Sequence, residues 1–170
     1  MVAYSTANML GANLQLVYTP STTLVPYAGG SDPGYAVGQK TQGTDGSVWT
    51  YVKASSSISQ YNWVGIDENF QAAPLTKAMA DAGWIIGVAQ VAIASGSYGW
   101  VCTQGANVTG GVLASCAADV TLYTSGTAGY LDDAATTQTK IDGVVLVTAN
   151  TLTQATNLEV LLTFPRSDTF

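Results

Sequence analysis

Histidine is absent from this chain, and charge is scarce. Its 170 residues include 5 Lys or Arg and 11 Asp or Glu, so 9% are charged, against about 25% in an ordinary soluble domain. Residues 1–31 and 82–118 carry no charged side chain at all. The missing imidazole removes the Ser-His-Asp triad, the Cys-His pair and every histidine metal ligand. The missing charge raises a question about the surface. A dispersed surface normally carries many mixed charges, so this one is covered by partner subunits or wetted by hydroxyls and amides. Both absences direct the reading toward a structural or binding role and away from catalysis.

Basic residues are the rarest class. Lys40, Lys53, Lys77, Lys140 and Arg166 are scattered, and the net charge is −6. Duplex binding requires several cations on one face to release counterions, so no nucleic-acid partner is expected. An anionic membrane surface is excluded on the same ground. The most apolar stretch, GWIIGVAQVAIASG (83–96), is shorter than the about 20 residues of a membrane span and contains Gln90. The start, MVAYSTANML, lacks a basic region and a long apolar run. A secretory signal is therefore not expected, and a cytoplasm-like compartment is.

Cysteine is also sparse, at two residues. Cys102 and Cys116 are not spaced as a metal-binding pair. They read as two small, partly buried thiols, or as a disulfide worth about 3 kcal/mol in an oxidising environment. Two carboxylate pairs remain. Asp67-Glu68 would point to opposite faces of a strand and reads as a solvated turn. Asp132-Asp133 reads as a turn as well, since calcium needs about six to eight oxygens. No catalytic residue, metal site or cofactor is expected.

What is abundant is glycine, with 18 residues, and an apolar fraction of 47%. Thr, Val, Ile, Tyr and Trp favour a pleated surface. In GSVWTYVKAS (46–55), Val48, Thr50 and Val52 alternate with Trp49, Tyr51 and Lys53. That is strand periodicity with one aliphatic and one aromatic face. Asp45-Gly46 before it is a hairpin-turn signal. NWVGID (62–67) reads as the next strand. One helix of about two turns is predicted in FQAAPLTKAMADAGW (70–84), with Pro74 in its first turn and Gly83 at its end. Strands return with WIIGVAQVAIA (84–94), central and apolar on both faces, and GWVCTQG (99–105) pairs back against it. NVTGGVLA, DVTLYTSG, AGYLDD, IDGVVLVTAN and LEVLLTFP follow. Short strands at spacings of about 8–12 residues imply a small barrel or sandwich. The fold class expected is all-β: a small antiparallel β-barrel or β-sandwich with one short helix. Residues 1–34, punctuated by Pro20, Pro26 and Pro33, read as an extended N-terminal arm, and 35–170 as the body.

Large apolar side chains in such a chain are core residues or interface anchors. Leu14, Leu16, Val17 and Tyr18 of the arm, with Trp49, Tyr51, Trp63 and Trp100 of the body, are the candidate interface residues. The tryptophans also admit a sugar-stacking reading.

DGSVWTYVKASSSI (45–58) and GWIIGVAQVAIASGSYGWVCTQG (83–105), with the hairpin VTLYTSGTAGYL (120–131) and the strand GVVLVTA (143–149), resemble the head decoration, or cement, proteins of tailed bacteriophages. The resemblance spans roughly residues 35–165 and rests on pattern. It implies a small β-barrel or β-sandwich without an active site that binds the outer surface of an icosahedral capsid. It further implies a homotrimer at the junctions of the major capsid protein, made in the host cytoplasm and carried on the virion. The arm would then be a strap that adds a strand to a neighbour. The alternative is a receptor- or carbohydrate-binding β domain of a virion fibre or spike.

Overall fold

The computed structural model describes residues 12–20 and 35–168. Two hairpins begin the body. β1 (Lys40–Gln42) and β2 (Val48–Ala54) pair antiparallel, with Gln42 opposite Val48. The Asp45-Gly46 signal is the turn between them: Gly46 has φ +82°, and the Asp45 carboxylate accepts from the Ser47 N–H. β3 (Trp63–Ile66) and β4 (Gln71–Pro74) form the second hairpin. Its turn is held by Asp67, whose carboxylate accepts from the N–H groups of Asn69 and Gln71. The short helix α1 (Lys77–Asp81) and β5 (Ile85–Ala89) lead into β6 (Tyr98–Val112), the longest strand. β7 (Leu122–Thr124), β8 (Leu131–Asp132), β9 (Lys140–Leu146) and β10 (Thr156–Ser167) complete the chain.

The fold is all-β, and the described residues form one ten-stranded sheet that closes on itself twice. The first ring runs β2–β4–β3–β5–β6 and back to β2, where Thr50 opposes Val101 and Tyr51 opposes Trp100. The second runs β6–β10–β9–β7–β8 and returns to β6 through one parallel pair, Val112 with Leu131. β6 belongs to both rings. It bends where its pairing with β10 shifts, beside Gly105 at φ +159°.

Strand alternation sorts the core into two. Val52, Ala54, Val64, Ile66, Ala72, Ala89 and Val101 come from all five strands of the first ring and fill its interior with Ile58 and Ile93. Trp49, Tyr51, Trp63, Ile86, Val88 and Trp100 point outward from the same strands. They pack with Leu122, Leu131, Ile141, Leu146, Val160 and Leu162 of the second ring. The aromatic and aliphatic faces predicted for residues 46–55 therefore serve separate cores. Gly87 and Gly99 keep the small interior open: a Cβ at Gly87 would lie 2.6 Å from Val101 Cγ1, and one at Gly99 2.8 Å from Ile93 Cδ1.

Three expectations are corrected. The helix spans Lys77–Asp81 only, because Thr76 caps it and accepts from the Met79 N–H. Pro74 ends a strand opposite Val64 instead of starting the helix. The apolar run 84–94 forms a strand only over Ile85–Ala89, after which the Ile93–Ile58 bridge turns the chain inward. The two segments expected to be separate strands, 99–105 and NVTGGVLA, are continuous in β6, since the bend at Gly105 needs no turn.

Candidate interaction surfaces

The residues singled out as interface anchors divide sharply. Leu14, Trp49, Tyr51, Trp63 and Trp100 are buried in this chain's own core. This corrects the expectation for these five: side chains already removed from water have no surface to offer a partner or a sugar. Aromatic residues in alternating strands signal burial, but not against what. Of the arm, residues 12–20 lie along the body. Ala12 and Leu14 are buried, and Tyr18 exchanges backbone hydrogen bonds with Tyr98. Val17 and Tyr18 are half-buried, whereas Leu16 is 61% exposed. The rest of the arm lies outside the described residues.

Sequence reasoning missed an exposed apolar cluster. On the outside of β9 and β10, Leu161 stands directly opposite Val145, and the Val147 N–H donates to the Glu159 carbonyl. Period-2 alternation puts Val145, Val147 and Leu161 on one side, together with the exposed Glu159 opposite Val147, while Val144, Leu146, Val160 and Leu162 fill the core behind. The outward three are 38–47% exposed. The unbroken run Val-Val-Leu-Val in residues 144–147 was the available signal, since a strand with one solvated face would alternate.

A second, polar cleft of about 140 Å³ is lined by Gln15, Asp45, Gln60, Tyr61, Gln90, Asn107 and Thr109, among others. Within it the Trp49 indole N–H donates to Ser47 Oγ, and Ser47 Oγ donates to Asp45. Burial raises the Asp45 pKa, but these Ser47 hydrogen bonds outweigh it and hold the carboxyl below its usual value. Gln90 grips β6 with both ends of its amide, donating to the Thr109 carbonyl and accepting from its N–H. Tyr61 and Asn107, at φ +67° and +57°, sit in the left-handed region on this cleft. Such backbone costs non-glycine residues of order 1–3 kcal/mol and gathers at functional sites.

The two thiols are free and buried. Burial pushes Cys102 up to about 12, and its Sγ–H donates to the Gln104 carbonyl. Cys116 is pushed up to about 11 by burial and then by Asp133 and Asp132, whose carboxylates lie with it in one group within 4.8 Å. Asp133 is already engaged there, accepting from the Ala117 N–H. In the folded chain both thiols keep their protons at a pH where an unfolded thiol, near about 8.5, has lost its own. The stability this confers is full below about pH 8.5 and falls as pH rises toward the folded values. Iodoacetamide at pH 8 should leave both cysteines unmodified in the native protein and alkylate both in denaturant, as read by mass spectrometry. Rapid labelling of the native chain would contradict this burial.

Comparison with known proteins gives no matching family model, no matching curated protein and no matching solved structure.

Proposed function

We propose that this chain is a structural decoration subunit that self-associates through the outer face of β9 and β10 and binds the outside of a tailed-phage capsid, as a trimer, at junctions of the major capsid protein. The observation that carries the reading is the exposed cluster of Val145, Val147 and Leu161, bordered by Glu159, on a chain with so few charges. Contiguous exposed apolar side chains mark association surfaces, and permanent interfaces are more apolar and less charged than ordinary surface. The resemblance of residues 35–165 to capsid cement proteins supplies the kind of partner.

The test is direct. Light scattering at micromolar concentration should give a trimer for the wild type. Leu161→Asp should weaken association by about 100-fold or more, since a charge replaces a side chain whose burial is worth about 1.5–3 kcal/mol. Its circular dichroism should stay native, because Leu161 faces away from the core. The wild type should co-sediment with expanded capsids. A wild-type monomer that fails to bind capsids would overturn the reading.

The polar cleft favours a second reading, a carbohydrate-binding domain of a fibre or spike, because it gathers a carboxylate, amides and Tyr61. Saccharide-induced shifts confined to Tyr61 and Asn107, without capsid binding, would put that reading in place of the first.

A further inference from the structure

We infer that the open end of the first ring is a binding site for a small monocarboxylate with an apolar body. The starting point is the fate of the five cations. Lys77 pairs with Asp81, and Lys140 pairs with Asp142 and Asp168. Lys53 lies 5.7 Å from the centroid of the Tyr98 ring. The remaining two, Lys40 and Arg166, stand on β1 and β10, at opposite ends of the body's sequence. Neither has an ion-pair partner among the described residues, and both line one cavity of about 340 Å³. On a chain of net charge −6, this places the two uncommitted positive charges at a single opening.

The walls set the rest of the chemistry. Trp84, Ile85, Ile86, Phe164 and Pro165 make the cavity predominantly apolar. Thr50, Thr103 and Ile85 line it from three neighbouring strands. Alternation puts them on the same face as Val52, Val101 and Ala89, which fill the ring interior. The cavity is therefore the mouth of that interior. The Thr103 hydroxyl is committed to the Val48 carbonyl. The Thr50 hydroxyl is fully buried and has no hydrogen-bond partner among the described residues. Buried hydroxyls are normally satisfied, so an unpartnered one requires a reason. Phe164, which lines the cavity, adds a second irregularity: it holds φ +56° while the residue stays 54% exposed. Bulky residues rarely adopt that conformation.

The charged groups facing the opening, the Lys40 ammonium and the Arg166 guanidinium, are donors only, whereas the buried Thr50 oxygen is closed off from it. No carboxylate of the described residues lines the cavity. The complement is an acceptor-only anion, and Arg meets carboxylates with two parallel N–H groups. The apolar walls require a hydrophobic body behind that head. The volume, at the low end of ligand pockets of about 300–1,000 Å³, limits the body to roughly one aromatic ring or a short alkyl chain.

The probe is 3-phenylpropionate, with its neutral amide as the shape-matched control, titrated into the full chain at low salt. Trp84 is the one tryptophan on this cavity, so its indole emission should respond, and amide NMR shifts should centre on residues 40, 84–86, 164 and 166. The acid should bind about tenfold or more tighter than the amide, and Lys40→Gln and Arg166→Gln should each weaken it about fivefold or more. Both substitutions are on exposed side chains, so the fold is retained. In Trp84→Phe the emission change should vanish while the NMR shifts persist. Leu161→Asp should bind the acid as the wild type does, which separates this site from the association face. Equal affinity for acid and amide, wild-type affinity in both cation variants, no binding of the acid at millimolar concentration, or shifts centred elsewhere would each overturn the assignment.

Discussion

Trp63→Ala is expected to cost about 3–5 kcal/mol of folding stability, as for other buried aromatics truncated in a packed core. Few domains of this size can lose so much, since total stability is only about 5–15 kcal/mol. The side chain is fully buried, and its indole N–H donates to the Gly111 carbonyl at 2.9 Å. The ring presses on Gly110, where an added Cβ would lie 2.9 Å from Trp63 Cζ2. Trp63 stands on β3 of the first ring and grips the half of β6 that belongs to the second. Truncation removes packing from both sides of that junction and leaves the Gly111 carbonyl without its side-chain donor. Trp63→Phe retains much of the volume and should recover more than half of the loss. Urea titrations of the three proteins measure this; a loss below about 1 kcal/mol for the alanine variant would show that the two rings do not depend on this residue.

Gly87→Val is expected to open the first ring. The Cβ position at Gly87 lies 2.6 Å from Val101 Cγ1 and 2.7 Å from the Cys102 carbonyl oxygen. A backbone oxygen cannot rotate away as a flexible side chain can. β5 must therefore move off β6, to which it is joined by only two residue pairs, Val88 with Cys102 and Ala89 with Val101. Overpacking of this kind costs about 1–3 kcal/mol, and more where backbone is displaced. Amide exchange should speed up across β5 and the first half of β6 before the second ring is affected. Gly126→Ala is the matched control, since nothing lies within 4 Å of its Cβ position. It should be neutral or stabilise by about 0.4–1 kcal/mol through the unfolded chain. Equal stability of the Gly87 and Gly126 variants would refute the close approach.

The sequence made local features legible and left closure hidden. The period of two in residues 46–55 identified β2 and the separate fates of its faces, because alternation is a property of the strand itself. The Asp45-Gly46 turn was equally local, set by the positive φ that only glycine adopts freely. Thr76 could have been read as the helix cap, but Pro74 drew the start three residues too early. Ring closure depends on pairs such as Thr50 with Val101 and Val160 with Val108, whose members carry no mark of their partners. The same distance hid the mouth cavity. Lys40 and Arg166 read as scattered charges, and only the folded chain sets them on the wall of one opening. The tryptophans misled for a different reason. Burial in a core and burial in an interface call for the same side chains.

The shared strand also sets a direction in time. The first ring takes strands no later than the opening half of β6, so it can close while the chain is still being made. The second half of β6 then waits with its edge unpaired until β10, the last strand, arrives. Pairing across such sequence separations is slow, and an unpaired edge recruits other strands. Gly105, where β6 bends, and the charge-free stretch that surrounds it are thus what a nascent chain leaves exposed longest. A ribosome-bound fragment ending before β10 would carry one finished ring and one adhesive edge.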